Sequence, residues 1–165
     1  ALTGHLVFST LHTNDAVGAI SRLLDMGVEP FLLASCLEGV VAQRLVRRVC
    51  ASCREAYTPP PEVLQRLGRD HVVGSAFFRG RGCRHCRQTG YRGRTGLFEL
   101  LLVDDTVRRS IHDGATGPQI LAALGSSHQR MREHGLSKAT AGETTLEEVL
   151  RVTQDSPAEE ALGTE

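Results

Sequence analysis

Two cysteine pairs carry the most specific chemistry in the chain: Cys50-Ala51-Ser52-Cys53 and Cys83-Arg84-His85-Cys86. They use four of the 5 cysteines, with 29 residues between the pairs. A CxxC turn brings two thiolates within reach of one ion. Two such turns complete the tetrahedron that Zn²⁺ accepts. The spacing therefore points to a structural metal site with Cys50, Cys53, Cys83 and Cys86 as ligands. Four thiolates leave no open coordination position, so the expected job is scaffolding, not catalysis. Gly82 suits a tight turn beside Cys83. Arg48, Arg54, Arg84 and Arg87 flank the pairs and offset the charge of four thiolates on one dication. His85, inside the second pair, is an alternative ligand. The same spacing also admits two redox dithiols, or structural disulfides in an exported domain. The fifth cysteine, Cys36, lies among apolar residues of an expected helix and reads as a buried small hydrophobe.

The second place with chemistry is Thr3 to Asp15, TGHLVFSTLHTND. His5 to Thr10 reads as a short buried strand. Beyond it come Ser9, Thr10, His12, Thr13, Asn14 and Asp15. Ligands of α/β folds sit past the carboxyl ends of strands. There His12 could contact a terminal phosphate, and Ser9 or Thr10 could position water. The same residues equally make a strand end, a turn and a helix cap.

These segments need elements to hold them. The 165 residues suffice for one domain or two small modules, and 41% hydrophobic composition is enough for a core. Basic and acidic residues number 19 each, so net charge alone points to no polyanion. The basic residues are all Arg but for Lys138. Trp is absent and aromatics are 4%, which argues against a stacking surface for single strands. No apolar run approaches the roughly 18 residues of a membrane span. The opening ALTGHLVFST lacks the basic region and cleavage pattern of a signal peptide, and reads as a chain entered partway through. A helix capped by Thr13 or Asn14 is expected through Val17, Ile20, Leu23 and Leu24, and a second after Pro30. VVAQRLVRRVC reads as helix, then a short strand into Cys50. Glu55 to Pro61 reads as a break, followed by a short helix from Glu62 to Leu67. Gly96 to Leu101 reads as a strand. Further helices follow Asp104 or Asp105 and cover Ile120 to Leu124. The last, capped by Thr144 or Thr145, carries Glu147 and Glu148 in its first turn. From Asp155 a frayed tail is expected.

TGHLVFSTLHTNDAVGAISRLLDMGVEP resembles the His box of the secretion ATPases that drive type II secretion and type IV pilus assembly. VAQRLVRRVCASC, GCRHCRQTGYRGRTGLFELLLVDDTVR and TTLEEVLRVT continue the resemblance, which runs from residue 3 to about 153. It implies an α/β fold: the C-terminal part of a RecA-like P-loop ATPase domain, then a small zinc-bound, mostly helical module. The implied divisions are residues 1–49 (ATPase core with His box), 50–96 (tetracysteine subdomain), 97–153 (helical subdomain) and 154–165 (tail). His5 and His12 match the two His-box histidines, and His12 is the one expected near the nucleotide phosphates. Such ATPases are cytoplasmic hexamers that dock on inner-membrane platform proteins, with ATP and Mg²⁺ as cofactors. The paired cysteines imply the assembly and secretion branch, since the pilus retraction ATPases lack them. The compact 29-residue spacing leans to the secretion members but does not by itself separate type II secretion from type IV pilus assembly.

The family's other catalytic parts are not in this sequence. No GxxxxGK[ST] occurs, nor a Walker B carboxylate ahead of the first strand. The chain is therefore expected neither to bind ATP tightly nor to hydrolyse it alone, and its first fifty residues are expected to be aggregation-prone. Two alternatives take no enzyme. RGRGCRHCRQTGYRGRTG also suits a zinc-ribbon-like nucleic-acid-binding module, with Tyr91 stacking. A zinc-stapled protein-interaction module needs no chemistry at all. In the motor reading no nucleic acid is expected as a partner.

Overall fold

The computed structural model describes residues 4–65 and 76–153. Seven helices and four strands are found among them: α1 Ala16–Asp25, α2 Pro30–Cys36, β1 Gly39–Val49, β2 Arg54–Tyr57, α3 Pro61–Gln65, β3 Phe77–Gly80, β4 Tyr91–Leu102, α4 Asp105–His112, α5 Gly117–Leu124, α6 Met131–Thr140 and α7 Leu146–Thr153. The class is α/β, with two small two-stranded sheets. One pairs β1 with β4. The other pairs β2 with β3 antiparallel, setting Arg54 opposite Gly80 and Tyr57 opposite Phe77. No described helix is long and apolar enough to cross a membrane.

The described residues divide into two compact units. One is built from residues 4–42 and Glu99–Arg130, the other from Gln43–Phe98 and residues 131–153, without the undescribed stretches. In the first, α2 packs on α4, and α5 on both α4 and α1. Its buried residues include Val17, Ile20, Leu33, Leu101, Val107, Ile111 and Ile120. Local signals set these helices. Asp15 caps α1 by accepting the Gly18 N–H at 2.6 Å. Asp104 caps α4 by accepting from Thr106 and Val107. Pro30 opens α2, where a missing N–H costs nothing.

In the second unit α6 packs on α7 and β3, over Val46, Val49, Phe77, Leu97, Met131, Leu146 and Val149. Gly135 makes the α6–α7 approach feasible: a Cβ there would lie 2.5 Å from the Val149 Cγ1. Thr145 caps α7 through the Glu148 N–H. Glu148 itself is 1% exposed. Its carboxylate accepts the Arg47 N–H at 2.9 Å and a guanidinium N–H of Arg47 at 2.8 Å, and two N–H groups of Arg151 at 3.0 Å. Burial pushes this carboxyl up, but the hydrogen bonds from Arg151 and Arg47 outweigh it and hold the pKa at about 2.

A carboxyl held below its ordinary value stabilises the fold fully above that value, and the contribution is lost as the pH falls through about 2. Glu148→Gln is expected to cost about 2 kcal/mol near neutrality, the worth of charge-assisted hydrogen bonds. The gap in Tm between wild type and variant should stay constant from pH 8 to about 5 and close as the pH falls further. A pH-independent gap in thermal melts would refute this account.

Several expectations are corrected. His5 to Thr10 forms no strand: Leu6, Val7 and Phe8 are 77%, 62% and 88% exposed. A buried strand needs neighbours for its backbone groups, and no strand among the described residues pairs with this run. VVAQRLVRRV is strand throughout, the body of β1, and Cys50 follows it. Val41 and Leu45 are exposed there, while Val46 is buried with Ala42 and Val49. The expected break after Cys53 holds β2. Cys36 ends α2 only half-buried, with its thiol 3.7 Å from the Ser35 hydroxyl. The frayed tail and the far end of the Glu62–Leu67 helix lie outside the described residues.

Candidate metal centre

Cys50 follows directly on β1. Its N–H donates to the Gly90 carbonyl at 2.9 Å, and the Val49 N–H to that of Glu143 at 2.9 Å, so the first cysteine leaves a strand tied down on both sides. A tight turn closes with Cys53 N–H donating to Cys50 O at 3.2 Å. The second pair is one 3₁₀ turn, Arg84–Cys86, after β3. Arg87 and Gln88 then take left-handed φ of 52° and 65°. This conformation is uncommon for side chains longer than Asn. It turns the backbone so that the Gln88 N–H reaches Cys83 O at 2.9 Å, and the Thr89 hydroxyl donates to Cys86 O at 2.6 Å.

These turns bring the four sulfurs within 4.8 Å of one another. Cys50 Sγ lies 3.9 Å from Cys83 Sγ, Cys53 Sγ 3.8 Å from Cys86 Sγ, and Cys83 Sγ 3.7 Å from Cys86 Sγ. Four sulfurs at the Zn–S bond length of about 2.3 Å in a tetrahedron are separated by about 3.8 Å. The donor set and its dimensions therefore fit a tetrahedral thiophilic dication. All four are free cysteines, too far apart for disulfide bonds. Cys50, Cys53 and Cys86 are buried and Cys83 half-buried, while His85 is exposed and lies outside the cluster.

The thiols differ in readiness to ionise. Burial pushes both Cys86 and Cys53 up. For Cys86 it is outweighed by N–H groups of Cys83 and Gly90, at 3.2 and 3.3 Å from the sulfur, and by the neighbouring thiols, so its pKa falls below the ordinary value. For Cys53 burial prevails and the pKa rises. A coordinated dication deprotonates its thiols outright. Bound there, it would tie the end of β1 to the β3–β4 connection.

The residues of the polar stretch are placed differently. His5, Ser9, Thr10 and His12 are all exposed, along one irregular segment leading into α1. The Thr13 hydroxyl donates to Asp15 O at 3.2 Å. The first turn of α1 is filled from within: Asp15 caps it, and Glu99 accepts the Ala16 N–H at 3.2 Å. With two carboxylates already at this N-terminus, it does not act as a phosphate cradle. Reading the sequence motif by motif missed Glu99. Its signal was available: Glu99 alternates with Leu97 and Leu101 on the inward row of β4, where a charge requires a partner.

The family model for type II/IV secretion system proteins matches residues 1–151. The chain is 54% identical over 155 residues to the type II secretion system protein E of Dickeya dadantii, a match covering 94% of this chain and 31% of that protein. It is 48% identical to the type II secretion system ATPase E of Vibrio cholerae, over 94% of this chain and 31% of the relative. It is 51% identical to the type IV pilus assembly ATPase PilB of Thermus thermophilus, over 91% of this chain and 17% of the relative. The chain thus spans at most about a third of these relatives' length.

Proposed function

The chain belongs to the family of type II/IV secretion system proteins, and on that premise we propose that it is the C-terminal portion of a hexameric ATPase motor powering type II protein secretion. The observation that carries this is the coincidence of a match over nearly the whole chain with a buried tetracysteine cluster of zinc dimensions. In this reading Cys50, Cys53, Cys83 and Cys86 hold a structural Zn²⁺. The exposed run from His5 to Thr10 belongs to a RecA-like core completed by the rest of the parent protein, which also supplies the phosphate-binding loop and the Mg²⁺-holding carboxylate. Ser9 and Thr10 face bound nucleotide, His12 reads the state of its terminal phosphate, and His5 supports the same segment. The partners are other copies of the parent and the inner-membrane platform of the secretion machine, met at its cytoplasmic face. Type IV pilus assembly is the second reading: relatives named for type II secretion match over 94% or more of this chain, and a type IV pilus assembly ATPase over 91%.

The test is steady-state hydrolysis of MgATP by the purified full-length parent. His12→Ala is expected to lower kcat by about 100-fold, the scale of losing one positioned polar group, and the 165-residue chain alone to show no turnover. A full-length protein without nucleotide-dependent hydrolysis would end the motor reading.

A further inference from the structure

Glu99 is 4% exposed on β4, on the same inward row as Leu97 and Leu101. A carboxylate so placed must be hydrogen-bonded. Its Oε1 accepts the N–H of Ala16 at 3.2 Å, and His128 Nε2 stands 3.3 Å from the same oxygen. The side chains of Glu99 and His128 are each 5% exposed. Ala16, fully buried, is the first residue of α1, and His12 lies four residues before it.

The two carboxylates at this helix start differ in what they determine. The Asp15 cap is local, reaching three residues, and fixes only where the helix begins. The Glu99 bond spans 83 residues and fixes where that beginning sits against β4. It also meets the positive end of the helix dipole, which favours a carboxylate over a neutral acceptor. His128, delivered from the chain after α5, meets the same carboxylate oxygen that accepts the Ala16 N–H.

We propose that Glu99 and His128 are positioning residues for His12: Glu99 pins the first turn of α1 to β4, His128 holds Glu99, and the placement of the His-box segment depends on both. The consequence for turnover rests on the reading of His12 as the phosphate-sensing group. The placement itself does not.

The test has two arms. In the 165-residue chain with labelled histidine, Glu99→Leu and His128→Phe remove the two hydrogen-bonding groups without adding charge. Both are expected to shift the His12 ring signals and the Ala16 amide at pH 7.5, and to leave those of the exposed His85 in place. Glu99→Gln and His128→Gln keep an acceptor and a donor and should restore much of the wild-type spectrum. They also cover the case in which the apolar variants fail to fold. In the full-length parent, Glu99→Leu and His128→Phe are expected to lower kcat for MgATP about tenfold with KM changed less than about twofold, and the double variant to fall no further than the worse single one, as for residues acting as a unit. His12 signals unmoved while the Ala16 amide shifts would reduce Glu99 to a helix-start bond and overturn the inference. So would unchanged kcat in variants of a parent that His12→Ala disables. A wild-type parent with no turnover would instead defeat the motor reading, and the His12 signals alone would then decide the clamp.

Discussion

Chelation of the freshly reduced 165-residue chain is expected to release one zinc per chain and to make four additional thiols reactive. Cys86→Ser is expected to abolish stoichiometric zinc binding. The size of this effect follows from what else holds the cysteine region together. Its buried cluster is the cysteines themselves, with Cys83 packed against Cys50, Cys53 and Cys86 and no large apolar side chain among them. Structural zinc contributes on the order of 10–16 kcal/mol in small modules, far more than four small hydrophobes. Removing the ion also leaves like-charged thiolates, or buried thiols, facing one another at under 4 Å. Cys86 is the most informative single replacement, because its sulfur receives two backbone N–H bonds, from Cys83 and Gly90. Serine there loses a soft ligand in the most specifically built position. Cys36→Ser is the control: half-buried at the end of α2 and outside the cluster, it should change neither metal content nor the thiol count released by chelator. Metal-free wild-type protein with two disulfides would overturn both the zinc assignment and the motor reading built on it.

The cysteine cluster was legible because its information is local and chemical. CxxC spacing, a glycine beside Cys83 and surrounding arginines sufficed to name the four cysteines that the fold brings together. Helix starts were legible for the same reason: Asp104 and Thr145 cap where short polar side chains precede apolar periodicity. β1 was misread because Ala42, Leu45, Val46 and Val49 satisfy the helical i, i+3, i+4, i+7 template. The strand outcome is decided by pairing with β4, about fifty residues away, which no local window contains. α6 was missed because its apolar stripe is broken by Gly135, whose value lies in the close approach of Val149. The first segment shows the opposite failure. HLVFST has the composition of a buried strand, but composition does not supply a neighbouring strand to pair with. Glu99 and His128 form a contact 29 residues apart in sequence, invisible until the fold closes.

Gly80→Ala is expected to destabilise the second unit by about 3 kcal/mol, at the upper end of overpacking costs, and to weaken zinc binding by more than about tenfold, since ligand placement and folding are one equilibrium. At this point two backbones cross in contact. A Cβ on Gly80 would collide with the carbonyl of Gly90, and a Cβ on Gly90 with the carbonyl of Gly80. Neither obstacle is a side chain that can swing away. Gly90 cannot retreat, because its carbonyl accepts the Cys50 N–H and its N–H donates to Cys86 Sγ. One backbone residue therefore touches both cysteine pairs, and any shift there pulls Cys50 and Cys86 apart. Gly90→Ala adds a second cost, because Gly90 sits at φ +77°. Gly114→Ala separates the two effects. Gly114 also has positive φ, at +71°, but nothing lies within 4 Å of a Cβ there, so only the backbone strain of about 1 kcal/mol remains. Thermal melts with a competitive zinc titration should rank Gly90→Ala and Gly80→Ala well below Gly114→Ala in stability, with only the first two losing zinc affinity. Equal losses of stability in Gly80→Ala and Gly114→Ala, with zinc affinity intact, would mean that the crossing relaxes and does not control the geometry of the metal centre.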